Sequence, residues 1–161
     1  MHNCEPNHFM EEECEMQITE MREADCYDVI TRQMIGRLAS CVQDQPYVVP
    51  VQYALSGGLI YSFSMLGHKI DNMRENPKVC LQVDELRDTR HWKSVIVEGR
   101  FRELFKVDDR QQAWEILQQR CNWWEPGALK PTTSNATVGS SQHLFYTISI
   151  DRMSGRQTVD A

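Results

Sequence analysis

The feature that most constrains the fold is a two-residue alternation of apolar and polar side chains that recurs along much of the chain. In residues 78–84, for example, Val79, Leu81 and Val83 alternate with more polar neighbours. An alternating strand buries one face and exposes the other, so each such segment predicts a strand that covers a core on one side. The predicted strands are residues 37–43, 47–55, 58–65, 78–84, 92–105 and 143–150.

A turn signal joins two of these segments. Ser56-Gly57-Gly58 stands between residues 47–55 and 58–65, and glycine readily adopts the positive φ angles of a tight hairpin turn. The two segments are therefore predicted to form an antiparallel hairpin. Six short, mostly antiparallel strands favour a mainly β fold, a small barrel with flanking helices, over a parallel α/β sheet.

The sequence also predicts three helices. The first spans Thr19 to Met34, with Thr19 as its N-cap, and the second spans Lys69 to Glu75. The third begins at Asp108-Asp109 and ends before Pro126-Gly127, and the residues of its apolar side are Ala113, Leu117, Cys121 and Trp124. The following residues, 131–142, are rich in Ser, Thr, Asn and Gly and predict a loop.

The charge of the chain is concentrated at its start. The 161 residues carry a net charge of −6, and residues 1–28 contain nine acidic side chains against Arg22 alone. We therefore expect an acidic tail over residues 1–18, one domain over 19–152 and a C-terminal tail over 153–161. The near-neutral domain argues against a nucleic-acid partner, and the absence of a long apolar run argues against a membrane span.

The six cysteines do not form a recognisable metal or disulfide pattern. No two of them form a CxxC pair, and the N-terminus has no basic start followed by an apolar run. A cluster of His2, Cys4, His8 and Cys14 lacks the spacing of ligand pairs. Reduced thiols in a cytoplasmic protein, with no metal site, are therefore expected.

One stretch has the residue types of an anion site. Ser62 and Ser64 lie on a predicted strand, Gly67 follows, and His68 and Lys69 open a short helix. A helix start presents free N–H groups and the positive end of a dipole, and Lys69 adds a full charge, so a phosphate would be well held there. The alternative is that His68 and Lys69 are ordinary solvated residues at a helix start.

The preceding strand indicates what kind of group would be attached to the bound phosphate. Val48-Val49-Pro50-Val51 is flat and apolar, and Pro50 removes a hydrogen-bond donor from the strand. Proline in a strand marks an edge, a bulge or a place where a ligand lies against the backbone. A planar ring on this strand and a phosphate at His68 and Lys69 would describe a phosphorylated aromatic cofactor.

With these motifs the sequence resembles the pyridoxamine 5'-phosphate oxidase-related FMN-binding proteins, and within them the nitroimidazole-resistance branch. The resemblance runs from about residue 35 to residue 104 and rests on four segments in the same order and with similar spacing. They are Pro46-Tyr47-Val48-Val49-Pro50-Val51-Gln52-Tyr53, Gly58-Leu59-Ile60-Tyr61, Gly67-His68-Lys69-Ile70-Asp71 with Asn76-Pro77-Lys78-Val79-Cys80, and Trp92-Lys93-Ser94-Val95-Ile96-Val97-Glu98-Gly99-Arg100.

The resemblance implies a six-stranded antiparallel split β-barrel that forms a homodimer with FMN at the subunit interface. Matched motif by motif, His68 and Lys69 would bind the FMN phosphate, and Trp92 and Ser94 would reach the flavin from the partner subunit. Ser62, Phe63 and Ser64 would form the strand that leads into the phosphate site, and Val49, Pro50 and Val51 would lie along the isoalloxazine ring.

The implied activity is an FMN-dependent oxidoreductase that passes electrons from a reduced nicotinamide or other donor to a small acceptor such as a nitroaromatic or a quinone. We name no catalytic residue, because the redox chemistry belongs to the cofactor. The authentic pyridoxamine 5'-phosphate oxidases commonly have an arginine where this chain has His68, and their pyridoxal-binding C-terminal residues have no counterpart here, so pyridoxamine phosphate is not expected as substrate. The alternative is a non-catalytic flavin- or haem-binding protein, with His68, His91 or His143 as the axial ligand.

Overall fold

The computed structural model describes residues 16–120 and 143–160, which form eight strands and three helices. In chain order these are β1 (Met16–Glu20), α1 (Glu23–Arg32), β2 (Ile35–Val42), β3 (Gln45–Ser56), β4 (Leu59–Met65), α2 (His68–Glu75), β5 (Lys78–Leu86), β6 (Trp92–Leu104), α3 (Val107–Gln118), β7 (His143–Ser149) and β8 (Arg152–Asp160). All six predicted strands and the predicted helix at residues 69–75 are present. No helix within the described ranges is both long and apolar enough to cross a membrane.

Six of the strands close into an antiparallel barrel in the order β6, β5, β2, β3, β4, β7 and back to β6. The long strand β6 makes this possible, because its first part pairs with β8 and its last four residues pair with β7. At the change of partner lies Gly99, where an added Cβ would overlap the carbonyl oxygen of Ser149. The prediction of a six-stranded antiparallel barrel is confirmed, and β8 and β1 extend the sheet from β6.

The predicted hairpin between β3 and β4 is also confirmed. Gly57 and Gly58 have φ angles of 57° and 75°, the pair of positive angles that a two-residue turn between twisted strands requires. Ser56 and Leu59 are directly paired on either side of the turn. This turn sets the register between β3 and β4, and β4 leads directly into α2.

The barrel interior is filled by the apolar members of the alternating strands. Val79, Leu81 and Val83 of β5 all lie in it, as the alternation predicts, together with Val95 and Val97 of β6. On the outer side of β3, β4 and β7, α3 covers a second, smaller cluster, whose buried members are Ala54, Tyr61, Leu104, Ala113, Leu117 and Phe145. Within residues 16–120 and 143–160, no helix covers the outer face of β2, β5 and β6 in this way.

The structure differs from the predicted helix at residues 19–34. Thr19 lies in β1 opposite Gln157, and the helix begins only after its N-cap residue, Arg22. The Met21 amide donates to the Gly155 carbonyl. Backbone pairing with β8 therefore replaces helical hydrogen bonds before residue 23.

The predicted tails also differ from the structure within the described residues. Residues 16–18 belong to β1 and residues 153–160 belong to β8, and the two strands pair with each other. Strand β1 buries none of its residues, and β8 buries only Gly155. Neither strand therefore carries the apolar alternation by which the others were predicted. Residues 1–15, the predicted loop at 131–142, and Cys121 and Trp124 lie outside the described residues.

Candidate functional site

The start of α2 is the centre of the predicted anion site. Its N-cap is Gly67, and no side chain among the described residues caps it. The amides of Ile70 and Asp71 donate to the Gly67 carbonyl, so the amides of His68 and Lys69 precede the first helical hydrogen bonds. An uncapped helix start is a suitable place for an anion.

The two basic residues at this helix start differ in environment. His68 is exposed, and its ring meets that of Tyr47 edge to face, with 4.8 Å between centroids. Lys69 is partly buried, and loss of water around the ammonium lowers its pKa. No ion pair to Lys69 occurs in the part of the chain that the structure describes. A partly desolvated ammonium without a counter-charge favours an incoming anion.

The residues of β4 that lead to this point are placed differently from one another. Ser62 is only 1% exposed and faces the barrel interior, where its hydroxyl donates to the Gln52 carbonyl at 2.6 Å. Burial raises the pKa of Tyr146, opposite Ser62, to about 12. Ser64 donates to the Met65 carbonyl at 2.7 Å, and Phe63 packs against the cluster under α3. In this conformation both serine protons are used within the chain.

The predicted ring-binding strand offers only part of itself to a ligand. Val51 is buried in the barrel and Val49 packs against the same core, whereas Pro50 is exposed on the outer face. Pro50 lies directly opposite Arg37 of β2. A planar ring on this strand would therefore lie on the outer face, against Pro50 and the backbone.

Trp92 and Ser94 lie far from the α2 start in the same chain. Ser94 of β6 pairs with Asp84 of β5. Tyr47 of β3, whose ring contacts His68, pairs with Ser40 of β2, and Ser40 pairs with Val79 of β5. Val79 and Asp84 are separated by about 16 Å along β5, and three strand spacings add about 14 Å across the sheet, which places the two parts roughly 20 Å apart. One chain does not bring the two parts of the predicted site together.

The outer face between these two parts carries exposed apolar side chains. Val48 is 61% exposed, Ile35 57% and Ile96 41%. Val48 lies opposite Ala39 and Ile96 lies opposite Gln82, so they flank the middle of this face. Groups of exposed apolar residues mark interaction surfaces more often than isolated ones do.

The histidines considered as haem ligands are placed as follows. His91 lies near two carboxylates, since its Nδ1 is 2.9 Å from Asp88 and its Nε2 is 3.5 Å from Asp160. The hydrogen bond and charge of Asp88 raise the His91 pKa, with a smaller contribution from Asp160. His143 is the first residue of β7, and its carbonyl accepts a hydrogen bond from Arg110.

Comparison with known proteins places the chain in a family. The family model described as pyridoxamine 5'-phosphate oxidase matches residues 22–157. The chain belongs to this family. It is 46% identical over 140 residues to an uncharacterized protein of Rhizobium meliloti, an alignment that covers 84% of this chain and 92% of that protein.

Solved structures of similar fold agree with this assignment. A FAD-binding protein from Mesorhizobium loti is 42% identical, with a TM-score of 0.71 over 87% of this chain and 97% of that one. A candidate 5-nitroimidazole antibiotic resistance protein from Bacteroides thetaiotaomicron has a TM-score of 0.69 at 15% identity, over 100% of this chain and 99% of that one. At this low identity, the second likeness shows the fold alone.

In this member of the pyridoxamine 5'-phosphate oxidase family, three residues that sequence reasoning missed connect to Ser94. Arg37 donates to Asp84 at 2.7 Å and to the Gln82 side-chain oxygen at 3.3 Å. The Gln82 amide nitrogen donates to Asp84 and, at 2.9 Å, to Ser94. We call these four residues the outer-face network. The alternation places Gln82 and Asp84 on the outside of β5, but only the register across three strands brings them to Arg37 and Ser94.

Proposed function

We propose that this chain binds a flavin nucleotide through a phosphate at the start of α2 and acts as a flavin-dependent oxidoreductase. The single observation that carries the proposal is Lys69, a partly buried ammonium without an ion-pair partner among the described residues, beside an uncapped helix start. A phosphate would supply the missing negative charge and accept hydrogen bonds from the amides of His68 and Lys69. The family and the FAD-binding relative from Mesorhizobium loti support a flavin.

FMN and FAD share the phosphate that follows the ribityl chain, so the α2 start suits either. The sequence resemblance favours FMN, and the FAD-binding relative favours FAD. The shared chemistry is a flavin with a phosphate on its ribityl end, and the flavin released from the protein identifies which one is bound.

The bound flavin would supply the transfer of hydride or electrons from a reduced nicotinamide or other donor to a small acceptor such as a nitroaromatic or a quinone. The protein's task would be to hold and orient the cofactor. Lys69 and the amides of α2 would bind the phosphate, His68 and Tyr47 would flank it, and Pro50 would provide a flat contact for the ring. None of these tasks requires a protein acid or base.

The proposal includes a homodimer in which Trp92 and Ser94 complete the site of the partner. The separation of roughly 20 Å between Ser94 and the α2 start within one chain supports a second copy as their source. The exposed Val48 and Ile96 support the same face as the contact surface.

The function is tested on the purified full chain after reconstitution with FMN or with FAD. We expect flavin absorption bands, release of one defined flavin on acid denaturation, and loss of the bands when NADH or NADPH is added without oxygen. A Soret band, or no flavin bound after reconstitution with either nucleotide, would contradict the proposal.

The dimer is tested by sedimentation of matched variants. Val48→Glu places a charge in the exposed apolar face and is expected to shift the protein toward single-chain mass. Phe105→Glu is the control, because Phe105 is also exposed but follows the end of β6, beside α3. A wild-type protein of single-chain mass, or equal dissociation of both variants, would argue against this interface.

A further inference from the structure

The hydrogen bonds of the outer-face network have a defined donor-to-acceptor direction, which follows from the donors and acceptors of the four side chains. Arg37 has only donors, so the Gln82 side-chain atom that faces it must be the carbonyl oxygen. That choice fixes the amide and turns its nitrogen toward Asp84 and Ser94. Asp84 in turn accepts from both Arg37 and Gln82. The usual ambiguity between the oxygen and nitrogen of a glutamine is thereby removed.

The direction of these hydrogen bonds determines whether the Ser94 hydroxyl accepts or donates within the sheet. Because Gln82 donates to it, the Ser94 hydroxyl is an acceptor within the sheet. Its own proton is then available for a bond directed out of the sheet, and no bond donated by this hydroxyl is found within the described ranges. Ser94 is partly exposed on the outer face, so its free donor can meet a ligand there.

We propose that Arg37, Gln82 and Asp84 are positioning residues that hold Ser94 as a hydrogen-bond donor to an acceptor atom of the flavin ring. This inference rests on the proposed function, in which Ser94 reaches the flavin of the partner subunit. A donor at an oxygen or nitrogen of the ring stabilises the negative charge that the flavin gains on reduction. The network would therefore favour the reduced cofactor over the oxidised one.

Two features favour this role over a purely structural cross-strand contact. The network ends at Ser94 and includes Gln82, which is paired with the exposed Ile96 on the surface proposed to contact the partner subunit. It also joins residues of three strands on the outer face, whereas the barrel is already held by a closed apolar interior. An exposed Arg–Asp pair contributes little to stability, so the network's arrangement is better accounted for by what Ser94 does.

The test compares affinity for oxidised and reduced flavin in the reconstituted full chain. Ser94→Ala is expected to weaken binding of the reduced flavin about tenfold while changing that of the oxidised flavin less, since a hydrogen bond to a charged group contributes more than one to a neutral group. Ser94→Thr keeps the hydroxyl and should restore the wild-type ratio. The ratio is read from titrations or from the midpoint potential of the bound flavin, neither of which requires an acceptor substrate.

A double-mutant cycle tests the positioning residues. Gln82→Glu replaces the donor that faces Ser94 by an acceptor, so Ser94 would donate to Glu at position 82 and no longer to the flavin. We expect Gln82→Glu alone to approach the effect of Ser94→Ala and to add little when Ser94 is already alanine. An equal effect of Gln82→Glu in both backgrounds would mean that it acts by charge alone, and would overturn the inference.

The outcomes separate this inference from the proposed function. Binding of a flavin with an unchanged ratio in Ser94→Ala overturns the inference and leaves the proposed function intact. A wild-type chain that binds no flavin overturns both.

Discussion

Leu81 and Gln82 are adjacent residues of β5, yet they belong to two different environments. Leu81 is fully buried in the barrel interior, whereas Gln82 lies on the outer face in a network with Arg37 and Ser94. The same contrast repeats across β2 and β6, because successive side chains of a strand point to opposite sides. The difference teaches that these strands separate their tasks by face: the inner face supplies stability, and the outer face is open to a ligand or a second copy.

The largest expected effect comes from breaking the inner face. Leu81→Ala is expected to lower the free energy of unfolding by about 2–5 kcal/mol, because it leaves a cavity in a closed core. Val107→Ala is the control, since Val107 is an exposed apolar residue at the start of α3, away from the proposed contact surface. Its cost should stay below about 1 kcal/mol. Urea denaturation at equal protein concentration measures both, and similar losses would remove the distinction between the inner face and an exposed position.

The next effect concerns the ligand rather than the fold. Lys69→Ala is expected to weaken flavin binding about 10- to 100-fold, the range for one charge-assisted hydrogen bond of about 1.5–3 kcal/mol. Stability without ligand should not fall, because the folded state disfavours the charged ammonium. Lys78→Ala is the control, since Lys78 is exposed at the start of β5. Unchanged flavin affinity in Lys69→Ala, measured by fluorescence titration, would place the phosphate elsewhere.

A pH titration examines the buried polar residues of the inner face. Tyr146 has its pKa raised to about 12 by burial, whereas a tyrosine of the unfolded chain ionises near pH 10. The folded state therefore keeps its proton longer, and the contribution of Tyr146 to the free energy of unfolding should fall as the pH rises from 10 to 12, by about 1 kcal/mol per pH unit. Below pH 10 this contribution is fully present. Tyr146→Phe should fall less steeply, and an equal slope in both proteins would exclude Tyr146 as the cause.

The smallest effect is expected from an ion pair on the outer surface. Arg74 of α2 makes two hydrogen bonds of 2.9 Å to Glu103 of β6. The Glu103 side chain is 10% exposed, whereas that of Arg74 is 45% exposed and stays in contact with water when the pair is broken. Glu103→Gln should lower the free energy of unfolding by less than about 1 kcal/mol, and by less still in high salt. A thermal denaturation series at two ionic strengths measures this, and a loss as large as that of Leu81→Ala would contradict the comparison.

The helix start in the candidate site could be predicted from local sequence, and the different placement of Ser62 has a local cause as well. Gly67, His68 and Lys69 lie at a helix start as expected, because glycine and the following polar residues mark that boundary. Ser62 was expected near the phosphate, but it shares a face with Ile60, which is buried in the barrel. The two-residue alternation from Ile60 already contained that information.

Other parts of the structure left no local signal. Strands β1 and β8 consist of mostly polar residues, so the sequence pattern predicted a helix and two tails in these segments instead of strands. Their strand character comes from backbone pairing of β1 with β8 and of β8 with β6. Backbone hydrogen bonds do not depend on the side-chain pattern, which is why the alternation did not reveal these strands.

The sequence by itself determined where the inner strands, the β3–β4 turn and the start of α2 lie, because alternation, paired glycines and helix boundaries act over a few residues. Only the tertiary structure decided which residues meet. Arg37 and Gln82 are 45 residues apart and share a hydrogen bond because β2 and β5 pair in one register. A shift of one residue would turn Gln82 into the core. Register is set by packing of the whole barrel, so the outer-face network became visible only in the folded chain.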